Sequence, residues 1–156
     1  MSRAKDIVER ASAAGIVIAT AESCTGGMIS AAITDVAGSS QILDRGFVTY
    51  SNAAKMDMLG VSADTLDTHG AVSELVAAEM AAGALQHSNA TLTVSVTGIA
   101  GPGGSDFKPE GRVCFGIATK DGVETHQVDF GALGRVGVRS ATVAHALELL
   151  FQKLPT

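Results

Sequence analysis

At 156 residues the chain has room for one domain with a sizeable core, and not for two independent ones. Apolar residues make up 46% of it and charged residues 17%, which excludes the highly charged, weakly apolar composition of a disordered segment. A net charge of −5, an aromatic content of 4% and the lack of Trp give neither the basic footprint nor the stacking surfaces that nucleic-acid binding draws on, and no apolar run reaches membrane-spanning length.

The charged residues within MSRAKDIVERASAAG exclude an export signal, so the chain reads as soluble and cytoplasmic. In that segment Ala4, Ile7, Val8, Ala11 and Ala14 recur at helical spacing and Gly15 stands where a C-cap belongs, predicting an amphipathic helix over residues 2 to 14. Ile16 to Thr20 is short and rich in β-branched residues, a predicted strand. AESCTGG then leads into a helical pattern from Met28 to Ala37, stopped by Gly38. Gly46 to Tyr50 predicts a second strand, and Ser51 or Asn52 caps a helix to about Leu59.

Ser73 caps a long helix ending near Ser88, and Thr91 to Thr97 (TLTVSVT) predicts a strand that opens into GIAGPGGSDFKPEG. That Gly- and Pro-rich loop is too long to be a plain connection. Val113 to Thr119 and Val123 to Phe130 predict two more strands, paired as a hairpin through Asp121 and Gly122. A final helix runs from about Arg135 to Lys153. Strands alternating with helices, plus one hairpin, predict a three-layer α/β/α sandwich on a mixed, mostly parallel five-stranded sheet, a single domain over residues 1–156.

Three segments carry the residue types that chemistry needs. AESCTGG lies where a strand ends and a helix begins, so Ser23, Thr25, Gly26 and Gly27 sit where unpaired helix amides meet a ligand. Helix capping explains Ser23 or Thr25 equally well from pattern alone. In TYSNAAK, Tyr50 ends a strand and Lys55 lies in the first turn of a helix, where the dipole and any burial disfavour its charged form. A solvated lysine is the commoner outcome at such a position.

VTGIAGPGG follows a strand directly, and Gly98, Gly101 and Gly103 free its backbone to build an anion-binding nest beside the Thr97 hydroxyl. It matches neither a P-loop nor a dinucleotide fingerprint. Arg135 and Arg139, one turn apart, suit a phosphate or plain solvent alike. Cys24 and Cys114 form no metal-ligand pair, and neither do His69, His87, His126 and His145, so no metal is expected.

Taken in order, AESCTGG, GFVTYSNAAK, HGAVSE, VTGIAGPGG and KPEGRV resemble the CinA C-terminal domain family of nicotinamide mononucleotide deamidases, from about Ile16 to the final helix. In many members this domain follows a molybdopterin-binding-like domain; this chain resembles the stand-alone form. The resemblance implies hydrolysis of the carboxamide of nicotinamide mononucleotide to nicotinic acid mononucleotide and ammonia, with no metal or organic cofactor and with nicotinamide mononucleotide as the small-molecule partner. Self-association stays open.

Carried over by motif, Ser23 is the nucleophile, Lys55 its base and Tyr50 a proton relay, with the oxyanion donated to near Gly26 and Gly27. Thr97, the Gly98 to Gly104 loop and Arg135 or Arg139 hold ribose and phosphate. Ser40, in GSSQ, is a second candidate nucleophile. A non-catalytic nucleotide-binding module, or a competence or DNA-damage protein, are the alternatives; the acidic balance counts against the last.

Overall fold

The β-branched runs of the sequence form the middle of a five-stranded sheet in a computed structural model that describes residues 2–105 and 107–156. The strands are β1 (Ile18–Glu22), β2 (Leu43–Val48), β3 (Leu92–Gly98), β4 (Arg112–Thr119) and β5 (Gly122–Asp129), in the order β2-β1-β3-β4-β5. β1 pairs parallel with β2 and β3, and β4 pairs antiparallel with β3 and β5. Four strands therefore run one way and β4 alone is reversed. The sheet is mixed and mostly parallel, and the expected hairpin turns through Lys120 and Asp121, with Gly122 already paired to Thr119.

The helices are α1 (Arg3–Ala14), α2 (Met28–Thr34), α3 (Asn52–Leu59), α4 (Ala63–His69), α5 (Glu74–Gln86) and α6 (Gly134–Gln152). One face of the sheet is covered by α1, α2 and α6 around Ile7, Ile18, Ile29, Val94, Phe115 and Leu150. The other carries α3, α4 and α5, with Phe47, Leu59, Leu66, Val76 and Met80 between them. This is the three-layer sandwich that the alternating pattern predicts.

Strand β3 shows how the period of two sorts its residues. Val94 and Val96 enter the apolar layer under α6, while Thr93, Ser95 and Thr97 face the other way. Their hydroxyls donate to Ala81 O at 2.8 Å, Ala77 O at 2.5 Å and Ala71 O at 2.8 Å. Hydroxyls that bond to helix carbonyls let α5 lie close on the sheet, and Gly116 of β4 admits it, since a Cβ there would stand 2.5 Å from Ala77 O.

Element ends differ from expectation where side-chain or cap chemistry takes a backbone group. β1 starts at Ile18 rather than Ile16, because the Ile16 amide bonds back to Ala11 O in the C-cap of α1, with Gly15 left-handed at φ 67°. β2 starts at Leu43 and stops at Val48, since the Thr49 and Tyr50 carbonyls turn to the Lys55 ammonium. α2 ends at Thr34, and a 3-10 turn at Ser39–Gln41 follows. α4 is absent from the expected set; Ser62 caps it and Gly70 ends it, but its Asp, Thr and His are weak helix formers.

Candidate active site

β1, β2 and β3 are parallel, so their carboxyl ends share one edge of the sheet. The connections leaving β1 and β3 run apart, towards β2 and towards β4, and a crevice opens between them. A cleft of about 370 Å³ lies there, lined by Ser23, Cys24, Tyr50, Lys55, Thr97, the Gly98–Ser105 loop and Arg135. A larger depression of about 740 Å³ at the opposite edge, around Lys120 and Gly122, brings together no comparable set: its Lys153 is paired with Glu124 at 2.7 Å.

Ser23 follows β1 directly, 7% exposed, with its amide bonded to Val96 O of β3 at 3.1 Å. Lys55 comes from the other layer, on the fourth residue of α3, whose start is fixed by the Ser51 hydroxyl accepting the Ala54 amide. Its side chain is 1% exposed, and Nζ reaches Ser23 Oγ at 2.9 Å, Thr49 O at 3.0 Å and Tyr50 O at 3.2 Å. Burial lowers the Lys55 pKa from its ordinary value, because no carboxylate is at hand to compensate the cation. Among the described residues no acidic side chain bonds or pairs with it.

Three acceptors surround one ammonium, and that count fixes its chemistry. Protonated, Lys55 donates to all three. Neutral, it keeps two N–H bonds to the Thr49 and Tyr50 carbonyls and turns its lone pair to Ser23, whose hydroxyl then becomes the donor. The pair is thus a serine beside a lysine oriented by main-chain carbonyls rather than by a carboxylate. Cys24, next in sequence, is a buried neutral thiol whose pKa burial pushes up to about 11.

The loop from Ser23 to Gly27 is tied on several sides. Gly26 N donates to Ser23 O at 3.1 Å, and the Arg139 guanidinium donates to Cys24 O at 3.0 Å and Thr25 O at 3.2 Å. Thr25, fully buried, donates its hydroxyl to Glu22 Oε1 at 2.6 Å. The α2 amides are likewise taken by Glu22, which accepts from Ile29 N and Ser30 N. The expectation that α2 offers its amides to a ligand is corrected here: a carboxylate from the preceding strand already fills that end. Gly26 cannot supply the expected oxyanion donor either. The Cys24 amide, next in the chain to the hydroxyl, makes no backbone–backbone hydrogen bond among the described residues and turns to its own sulfur.

Across the cleft, the Gly-rich loop is held by two residues of KPEG. Lys108 Nζ donates to His69 O at 2.7 Å and Val72 O at 2.5 Å, while Glu110 accepts from Gly103 N at 2.7 Å and Gly134 N at 2.9 Å. Gly103 is therefore spent inside the protein. The Ala100, Gly101 and Gly104 amides make no backbone–backbone hydrogen bond among the described residues. Arg135, exposed, bridges the mouth: it donates to Gly101 O at 2.7 Å and to the Tyr50 phenol at 2.7 Å.

The structure thus brings Ser23, Lys55, Thr97, Gly98, Gly101, Gly103 and Arg135 to one cleft and leaves others outside it. Ser40 lies exposed in the 3-10 turn ahead of β2, at the opposite edge of the sheet, so it is no rival nucleophile. Thr25, Gly26, Gly27 and Arg139 support the Ser23 loop from behind rather than line the cleft. Tyr50 enters through its carbonyl; its ring is 59% exposed and its phenol turns to Arg135, not to Ser23. Sequence reasoning passed over Glu22, Lys108 and Glu110, although each stands inside a motif it had singled out. Among the described residues no three His, Cys, Asp or Glu side chains converge as a metal cage would need, and no helix is long and apolar enough to cross a membrane.

The CinA C-terminal domain profile matches residues 1–154. The chain is similar to the nicotinamide-nucleotide amidohydrolase PncC of Escherichia coli K12, 47% identical over 98% of this chain and 93% of that one. It is also similar to a CinA-like protein of Chlorobium phaeobacteroides, 55% identical over 77% of this chain and 30% of that longer one. Among solved structures, the competence/damage inducible protein CihA of Agrobacterium tumefaciens superposes with a TM-score of 0.93 at 51% identity, covering 96% of this chain and 92% of that one.

Proposed function

Because the chain belongs to the CinA C-terminal domain family, we propose that it is a nicotinamide-nucleotide amidohydrolase, converting nicotinamide mononucleotide to nicotinic acid mononucleotide and ammonia. The observation that carries the chemistry is the 2.9 Å contact between Ser23 Oγ and a buried lysine that burial drives towards its neutral form. An unactivated amide needs a nucleophile stripped of its proton and donors waiting for the oxyanion.

Neutral Lys55 takes the Ser23 proton as Oγ attacks the carboxamide carbon, and the developing oxyanion is met by the Cys24 amide. The same proton, held on Lys55, passes to the leaving nitrogen as the C–N bond breaks and ammonia departs. An acyl-serine remains. Water then attacks it, giving its proton to Lys55, which returns it to Ser23 Oγ as the acid product leaves. Thr49 O and Tyr50 O stabilise the transient ammonium throughout, the part a carboxylate plays beside a catalytic histidine.

The nucleotide's phosphate and ribose belong on the other wall, where the free amides of the Gly98–Ser105 loop and Arg135 supply donors. Arg135 gives up its bond to the Tyr50 phenol to do so. The reading places the protein in the cytoplasm, with a small-molecule substrate and no nucleic acid. Ammonia release from nicotinamide mononucleotide by the purified protein tests it: turnover absent from the Ser23→Ala protein supports the proposal, and binding without turnover by the wild-type protein rejects it.

A further inference from the structure

Glu22 is among the most buried side chains of the molecule, 1% exposed, and it sits one residue before the nucleophile. Four donors converge on its two oxygens. Oε1 accepts from the Thr25 hydroxyl at 2.6 Å and Ile29 N at 2.9 Å; Oε2 accepts from Ser30 N at 3.0 Å and, more distantly, from the Thr20 hydroxyl at 3.4 Å. Thr20 and Ser30 are themselves joined at 2.6 Å, and Gly46 of β2 leaves them room: a Cβ there would stand 2.5 Å from Ser30 Oγ. α2 has no side-chain cap of its own, since Gly27 occupies that position.

We propose that Glu22 is a positioning residue for Ser23, pinning both ends of the nucleophile's loop through a single buried carboxylate. The loop leaves β1 at Glu22 and returns to the same side chain at Thr25 and again at Ile29 and Ser30, so residues 23–27 form a closed arc. Within that arc Gly26 N bonds to Ser23 O, and Arg139 steadies the Cys24 and Thr25 carbonyls from α6. Ser23 Oγ itself has one short contact, to Lys55, and a 3.5 Å approach to Tyr50 O. Its placement therefore depends on the main chain, and the main chain here depends on Glu22. The carboxylate bonds to neither Lys55 nor the Gly98–Ser105 loop, so beyond holding the start of α2 it acts on the approach of Oγ to the amide.

This inference rests on Ser23 being the nucleophile. Glu22→Gln keeps the side chain's volume and two of its acceptor contacts but faces the Ser30 amide with a second donor. A misplacement of about 1 Å at the reacting atom costs about 10²-fold in rate, so kcat for nicotinamide mononucleotide is expected to fall by about that factor. KM should stay within about threefold and the Lys55 acid limb should not move, because binding and proton affinity reside elsewhere. Thr25→Val removes one donor, spares both helix amides and is expected to lower kcat several-fold at unchanged KM. The double variant should be no slower than Glu22→Gln, since Thr25 acts through the same carboxylate.

Wild-type kcat in Thr25→Val, or in folded Glu22→Gln, overturns the proposal. So does a rise in KM matching the fall in kcat, which would mean that the whole cleft had collapsed. If Glu22→Gln does not fold, the Thr25→Val result decides. Activity retained by Ser23→Ala would instead defeat the nucleophile assignment, a separate failure.

Discussion

Lys55 Nζ and Ser23 Oγ stand 2.9 Å apart although they are 32 positions apart in sequence and arise from different layers of the fold. Among the described residues no carboxylate bonds to either. Ser23→Ala is expected to abolish amide turnover while the protein folds as before, because the lost hydroxyl caps no helix and bonds only to Lys55 and, at 3.5 Å, to Tyr50 O. Thermal unfolding and ammonia release on the same sample check this, and an acyl adduct on Ser23 trapped by acid quench would show the covalent step.

As the proposed base Lys55 would have to be neutral, and burial lowers its pKa from the ordinary 10.5. Activity is therefore expected to rise with pH through that lowered pKa, giving an acid limb with a midpoint below 10.5. The sign for stability is the same: between the folded and unfolded pKa values the unfolded chain holds the extra proton, so stability also rises with pH across that window. Lys55→Arg and Lys55→Ala are expected to be equally inactive, as a guanidinium does not lose a proton near neutral pH. Turnover by Lys55→Arg would make this residue a positioning cation instead.

The two arginines of α6 should separate cleanly in kinetics. Arg135 reaches over the cleft, so Arg135→Ala is expected to raise KM for the nucleotide about tenfold and to narrow its advantage over the riboside, as expected of a lost charge-assisted bond worth about 1.5 kcal/mol. Arg139 grips the carbonyls of Cys24 and Thr25, so Arg139→Ala should lower kcat and melting temperature with less effect on KM. Reversal of the two patterns would exchange their roles.

Two substitutions test the packing around the dyad. The Thr49 hydroxyl is buried without a partner among the described residues, and an orphaned polar group costs about 1–3 kcal/mol. Thr49→Val is therefore expected to raise the free energy of unfolding by about 1 kcal/mol in urea titration. Gly83→Ala should do the opposite, since its Cβ would meet Leu59 O at 2.0 Å, where α5 passes under the end of α3. A loss of about 1–3 kcal/mol is expected.

Most elements were legible because period and caps agree: Gly15, Ser51 and Ser73 each terminate or begin a helix where the apolar pattern changes. α4 escaped because Thr65, Asp67 and Thr68 speak against a helix interior, and only its ends, the Ser62 cap and Gly70, speak for it. In the site, Ser23 and Lys55 could be named from their motifs, but their contact could not, because it joins two layers. Tyr50 misled for a related reason. A sequence shows a phenol, and here the working atom is the carbonyl that every residue possesses. Thr25 and Arg139 look like ligand groups on paper, and the fold uses both to brace the loop behind the nucleophile. Glu22 and Glu110, one buried and one half-buried, went unread because a carboxylate spent on main-chain amides announces itself only through the amides that surround it.

The close approach of Gly83 to Leu59 bears on how the lysine keeps its aim as the molecule warms. Apolar side chains slide and repack, and a base carried on a greasy interface would drift with them. Here the mounting is stiffer: β3 hydroxyls are bonded to α5 carbonyls, and α5 rests its bare backbone at Gly83 on the backbone of Leu59, one turn beyond Lys55 on the same short helix. Position passes along that path with little slack. Cavities opened under α1 and α6, on the far side of the sheet, should therefore soften the protein long before they blunt the alignment of Ser23 and Lys55.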